Sequence, residues 1–141
     1  MPRDVYTYTS DSAPFDSKIL LAPVTANIGT TLTNIAEIEN RVLTLYDKKG
    51  KAVGKKILNK AQNYFGDNTE GGLGSSVYLI DDGSYVVTLQ YAFTQNGEPL
   101  TNSKTSVKAI ASGGKYAGKD ASVTVKYDGD KGRKVIIEYE K

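Results

Sequence analysis

The sequence contains no cysteine, no histidine and no tryptophan. Without cysteine there are no disulfides, thiol nucleophiles, iron–sulfur clusters or zinc–thiolate sites, so stability rests on packing and hydrogen bonding. Without histidine, Ser–His and Cys–His nucleophilic machinery and His-ligated metal sites are excluded as well. Charge of one sign is also scarce. The 18 basic and 16 acidic residues leave a formal charge of +2, too weak a field to steer the chain towards nucleic acid or an anionic membrane. No run approaches the ~20 apolar residues of a transmembrane helix. The first residues, Met1-Pro2-Arg3-Asp4, enter a strand-like pattern without an apolar signal core, and no Asn-X-Ser/Thr acceptor occurs. The expectation is a soluble cytoplasmic protein that uses no metal, cofactor, nucleic acid or membrane; a secreted mature form stays open.

What is present describes a globular chain. Its 141 residues, 39% apolar and 24% charged, suit one domain over 1–141 with a real core. Alternation with a period of two dominates from Val42 onward and helical periodicity is nearly absent, which predicts an all-β fold. The clearest strand is 84–94, with Tyr85, Val87, Leu89, Tyr91 and Phe93 on one face and Val86, Thr88, Gln90 and Ala92 on the other. Similar runs cover 5–9, 18–25, 42–46, 52–65, 75–80, 105–111, 121–127 and 133–140. Eight or nine strands fall in the range where closure into a single antiparallel eight-stranded β-barrel, lipocalin-like in appearance, removes exposed edges.

Turn chemistry separates the strands at Asp47-Lys48-Lys49-Gly50, Asp81-Asp82-Gly83, Asn96-Gly97-Glu98-Pro99 and Asp128-Gly129-Asp130-Lys131-Gly132. The last also invites a calcium reading, but it lacks the spaced oxygens and closing Glu of an EF-hand loop and reads as a hairpin. Segments 66–74 and 96–104 read as polar rim loops. Segment 30–40 fits either a short helix or an irregular strand.

Three stretches resemble the allene oxide cyclase barrel superfamily, which includes dirigent proteins and spirotetronate cyclases. They are the Asp-x-x-Gly-x-x-Val-Gly hairpin Asp47–Gly54, the glycine-rich segment Ser112–Val123 with its Gly-x-aromatic-x-Gly core, and Lys18–Pro23 ending in Ala-Pro. The resemblance implies an eight-stranded barrel with an apolar lumen, usually in a dimer or trimer, that folds a reactive intermediate into one conformer. The family's site residues do not carry over. Tyr6-Thr7-Tyr8-Thr9-Ser10 holds neither the dirigent His-Asp pair nor the cyclase Glu. Lys119-Asp120-Ala121 lacks the dirigent arginine, Ala13-Pro14 replaces Ser-Pro, and the cyclase's cysteine is missing. Independently of kinship, Gly113, Gly114 and Gly118 mark a corner where side chains do not fit or φ is positive.

Ten tyrosines supply apolar rings with polar tips that can orient an oxygenated ligand. Tyr6, Tyr8, Tyr78, Tyr85, Tyr91 and Phe93, with the amides Asn63 and Gln90, are therefore the candidate ligand-binding residues; no catalytic residue is assigned. The lysines at 48, 49, 51, 55, 56 and 60 read as a solvated edge. The expected function is to bind an apolar small molecule in the lumen of a homo-oligomeric barrel, with cyclase- or isomerase-type direction of a cyclisation or coupling if active. The alternatives are a non-catalytic carrier and a structural barrel packed solid. A lumen of ~300 Å³ or more would favour a ligand.

Overall fold

A computed structural model describes residues 1–9, 18–28, 31–64, 69–95, 98–99, 104–127 and 132–141. The strands are β1 (Arg3–Thr9), β2 (Lys18–Ile28), β3 (Thr31–Tyr46), β4 (Ala52–Tyr64), β5 (Thr69–Ile80), β6 (Tyr85–Gln95), β7 (Glu98–Pro99), β8 (Lys104–Gly113), β9 (Ala121–Tyr127) and β10 (Gly132–Tyr139), with a 3-10 turn at Gly114–Tyr116. All pairings are antiparallel. The path β1-β10-β9-β8-β6-β5-β4-β3 closes on itself where Thr7 of β1 lies opposite Tyr46 of β3, giving the eight-stranded barrel that the alternation predicts. β2 follows β1 along the same edge of β3, with Lys18 opposite Arg41. Segment 30–40, ambiguous in sequence, is strand throughout its described part. Residues 69–74, read as rim loop, belong to β5. Partner strands on both sides stitch them into the ladder, and pairing overrides their low β propensity. The turn at 128–131 lies outside the described residues.

The two described hairpin turns share one device. The Asp47 carboxylate accepts hydrogen bonds from the backbone N–H of Lys49 (2.8 Å) and Lys51 (3.0 Å), and Asp82 accepts from Ser84 N–H at 2.7 Å. In each case a donor that the tight turn leaves without a ladder partner is satisfied locally.

One end of the cylinder is sealed. The 3-10 turn folds under the barrel and inserts Tyr116, fully buried, among Tyr6, Leu45, Val86, Val123, Val135 and Ile137. Its hydroxyl donates to the Asp4 carboxylate, its ring meets Tyr139 edge-on with centroids 5.0 Å apart, and Lys115 Nζ reaches the same Asp4 at 2.8 Å. The corner needs its glycines. Gly114 has φ +61°, and a Cβ there would stand 2.6 Å from Ser84 Cα, while a Cβ on Gly113 would overlap the Tyr85 ring.

The opposite end parts. β6 pairs with β8 only from Tyr85–Gly113 to Thr88–Ala109, with a register shift after Val87, and β8 continues from Lys108 to Lys104 along β9 instead. Among the described residues, β6 from Leu89 to Phe93 has no ladder partner on its β8 side.

Tyr116→Ala is expected to lower unfolding free energy by about 3–5 kcal/mol, the usual cost of emptying a buried aromatic site. Tyr116→Phe, which keeps the ring, is expected to cost only about 1–2 kcal/mol; equal losses in urea titrations would contradict the plug. The backbone donors hold both turn carboxyls below their ordinary value, so their contribution to stability is present above pH 3.8 and lost as acid protonates them. Carboxyl NMR titrations of Asp47 and Asp82 should give midpoints under 3.8; midpoints at or above it would refute the assignment.

Candidate functional site

Alternation sorts each strand into two phases, and the register aligns the inward phase into rows. The row above the sealed end is Leu43, Lys56, Tyr78, Val86 and Ser112. The next is Arg41, Leu58, Ser76, Thr88 and Ala109. Beyond it, Lys60, Gly74 and Gln90 align across β4, β5 and β6. Apolar packing thus gives way to polar and small residues along the axis.

Lys56 marks the transition. Its residue is only 8% exposed, and its Nζ donates to the Tyr8 hydroxyl at 2.9 Å. The ammonium lies 4.6 Å from the centroid of the Tyr8 ring and 5.3 Å from that of Tyr78, so the negative faces of two rings surround it. Burial works against its charge, while attraction to the Tyr78 and Tyr8 oxygens and hydrogen bonding to them shift it upward. A hydroxyl acceptor at 2.9 Å and two ring faces form the surroundings that suit an ammonium. Tyr78, 2% exposed, is pushed above the ordinary phenol value by burial, with the neighbouring lysine pulling the other way; it stays a neutral phenol. Among the described residues no carboxylate pairs with Lys56.

Beside Lys56 a partly open cavity of about 160 Å³ is lined by Leu58, Lys60, Gly72, Gly74, Ser76, Gln90 and Lys56 itself. Glycine leaves this space empty. A Cβ on Gly74 would meet only Asn59 O at 3.5 Å, Leu58 Cδ1 at 3.6 Å and Lys60 Cγ at 3.9 Å, ordinary contacts that any side chain makes. The cavity lies at the parting end of the barrel, where Gln90 sits on the β6 segment that β8 has left.

The residues singled out from sequence divide accordingly. Tyr8 and Tyr78 converge on Lys56, and Gln90 lines the cavity. Tyr6 is buried, but it belongs to the sealed end: its pKa is raised by burial, and it hydrogen-bonds with Tyr116. Asn63 is exposed on the outward phase of β4. Tyr85 is 37% exposed and covers Gly113 from outside. The bulky phase of β6 is thus the outer one, and the small phase with Val86 and Thr88 faces the lumen. Tyr91 and Phe93 lie on β6 opposite Leu73 and Gly71; their side chains lie outside the described residues.

Lys56 corrects the reading of the lysine stretch as a solvated edge. Lys48, Lys49, Lys51 and Lys55 are exposed, whereas Lys56 is buried and Lys60 half-buried. The signal was available: Lys55 and Lys56 are adjacent on a strand, so they face opposite sides, and Lys56 shares its phase with Gly54 and Leu58. Gly74, Ser76 and Thr88 carried no signal of their own, since small polar residues are equally common on solvated faces.

No protein-family model matches the chain, and no curated protein matches it in sequence. Among solved structures it is similar to one titled pyocyanin demethylase, with a TM-score of 0.60 and 14% identity over 99% of this chain and 100% of that one. At that identity the likeness establishes a shared barrel fold and nothing of the chemistry inside it.

Proposed function

We propose that this barrel binds a small organic molecule through the cavity above the Lys56 row, with at most one ring inserted and the remainder extending past Gln90. The observation that carries this is the uneven filling of the core: it is closely packed around Tyr116, whereas about 160 Å³ stays free beside the buried Lys56 and Ser76; a wider cleft of about 390 Å³ between Arg3–Tyr6 and Asp47–Lys49 is more open and lined mostly by charged residues. The volume beside Lys56 is below the ~300 Å³ expected of an enclosing lumen, which favours partial insertion over full engulfment. It also disfavours a barrel packed solid along its whole length.

The finer reading is that the site directs a cyclisation or coupling of the bound molecule, as resemblance to the allene oxide cyclase superfamily implies. The supporting features are the glycine corner at Gly113–Gly118 and a lumen that offers shape, two phenols and the basic side chains of Lys56 and Lys60. Holding a flexible molecule close to its reactive geometry lowers the entropic part of a barrier without a nucleophile.

The test is binding of single-ring compounds, followed by chemical-shift perturbation and thermal shift. A binder should perturb amides of Lys56–Lys60, Gly72–Ser76 and Gln90 in the wild type. Gly74→Val, whose Cβ the backbone accommodates, is expected to fill the cavity and weaken that binder at least ~10-fold, the scale of one or two displaced methylene contacts, while Tm is unchanged or higher. Equal affinity in the variant would place the ligand elsewhere and overturn the reading.

We also infer that the outer face of β3 to β6 and β8 associates with a second copy of the chain. The register aligns Val42, Ile57, Val77, Val87 and Ala111 in one outward row, and exposed Ile38, Leu73, Leu79, Tyr85, Leu89 and Ile110 flank it. Exposed apolar residues of a monomer are ordinarily scattered, whereas these gather on one face, with Asn40, Asn59 and Ser75 between the core row and Ile38, and with Lys55 beside Leu79. Its core row carries no charge, so the same patch on a second copy meets it without burying one. Leu73→Lys with Leu89→Lys should convert an oligomer to monomer in sedimentation velocity without unfolding it; a monomeric wild type would refute the association.

A further inference from the structure

The cavity holds a feature that an apolar ligand alone does not explain: a buried lysine whose partners among the described residues are two phenols and no carboxylate. Taking an ammonium out of water costs several kcal/mol, and folded proteins ordinarily offset that with a carboxylate. Here the groups acting on Lys56 are the phenols of Tyr8 and Tyr78, and burial keeps Tyr78 protonated. An ammonium has three N–H donors, one more than two phenol oxygens satisfy. Among the described residues the neighbouring cavity is lined by Lys56 and Lys60 and by no carboxylate, and Glu39 lies opposite Lys60 in the same row of the ladder. Gly74 and Leu58 give its remaining wall an apolar, flat-sided character suited to a ring.

Resting on the proposed lumen site, we propose that its ligand class is a planar organic oxyanion, a phenolate, enolate or carboxylate on an unsaturated body. Its oxygen pairs with Lys56 Nζ and its ring lies against Leu58 and Gly74. The Tyr8 hydroxyl, already accepting from Lys56, has its own proton free to donate to the same oxygen. Lys56 and Tyr8 thus supply charge and direction together, and the low-polarity surroundings strengthen both relative to water. In chemical terms the site favours the deprotonated form of a weak acid, the form in which a phenol or enol is nucleophilic at carbon or oxygen.

The probe pair that isolates this is 4-nitrophenol, which ionises near neutrality with a visible absorbance change, and 4-nitrotoluene, of nearly the same shape without an acidic proton. Above the probe's own ionisation the wild type should bind 4-nitrophenolate at least ~10-fold tighter than 4-nitrotoluene, and the bound phenol should ionise at a pH lower by about one unit, since one unit is the same tenfold factor. Lys56→Met should reduce the preference to within about twofold and restore the free probe's ionisation. Replacing a buried cation by an apolar side chain of similar volume is often neutral or stabilising, so Tm should not fall; Lys56→Gln serves as the second uncharged variant should the first fail to fold.

If 4-nitrotoluene binds and 4-nitrophenolate binds no better, or if the preference survives both variants, the oxyanion assignment is overturned and the lumen site stands. If neither compound perturbs β4 to β6, the lumen site itself is lost.

Discussion

The sealing of one end of the cylinder by Tyr116 is the constraint from which the rest of this structure follows. An eight-stranded barrel is only just wide enough for side chains to fill, so where Tyr116, Leu45, Val86, Val135 and Ile137 meet no volume is left over. Beside Lys56 and Gln90, by contrast, a cavity of about 160 Å³ remains. The plug is held by polar chemistry as well as packing, because its hydroxyl and Lys115 both engage Asp4 at the edge of the closing strand β1. The same strand carries Tyr8, so closure of the barrel and placement of the phenol on Lys56 are one event.

A closely packed end and a less filled one in the same cylinder also set the electrostatics. Lys56 sits at the boundary, buried yet lining the cavity. Its charge persists because two aromatic faces and their hydroxyl oxygens substitute for hydration, a weaker compensation than a carboxylate would give. A neutral environment around a fixed charge remains responsive to an incoming anion. A paired one would have spent that attraction already.

The outer surface follows from the same alternation that builds the lumen. Two strands send a small residue inward and a large one outward side by side, β6 with Thr88 against Leu89 and β5 with Gly74 against Leu73. Bulk displaced from the lumen therefore appears as an apolar external face, and the room for a ligand and the patch for a second copy have a common origin in sequence.

The strand pattern, the absence of thiol and imidazole chemistry, the turn aspartates and the glycine corner at 113–118 were legible because each depends on neighbours within a few positions: a period of two, an Asx turn or a positive φ. The burial of Tyr8 and Tyr78 could be anticipated from their type. Which phase of β6 turned inward could not, since Tyr85 and Leu89 are as apolar as core residues and hydrophobicity alone does not choose between a lumen wall and an outer contact face. Lys56 was half-legible, because adjacency to Lys55 forced one of the two inward without saying which. The sequence by itself determined that the chain would curl into antiparallel strands and what chemistry it could not perform. Only the tertiary structure decided which face became the lumen, how far it was filled, and that one lysine would meet two tyrosines distant in sequence, because those outcomes depend on the register and curvature of strands that no local pattern encodes.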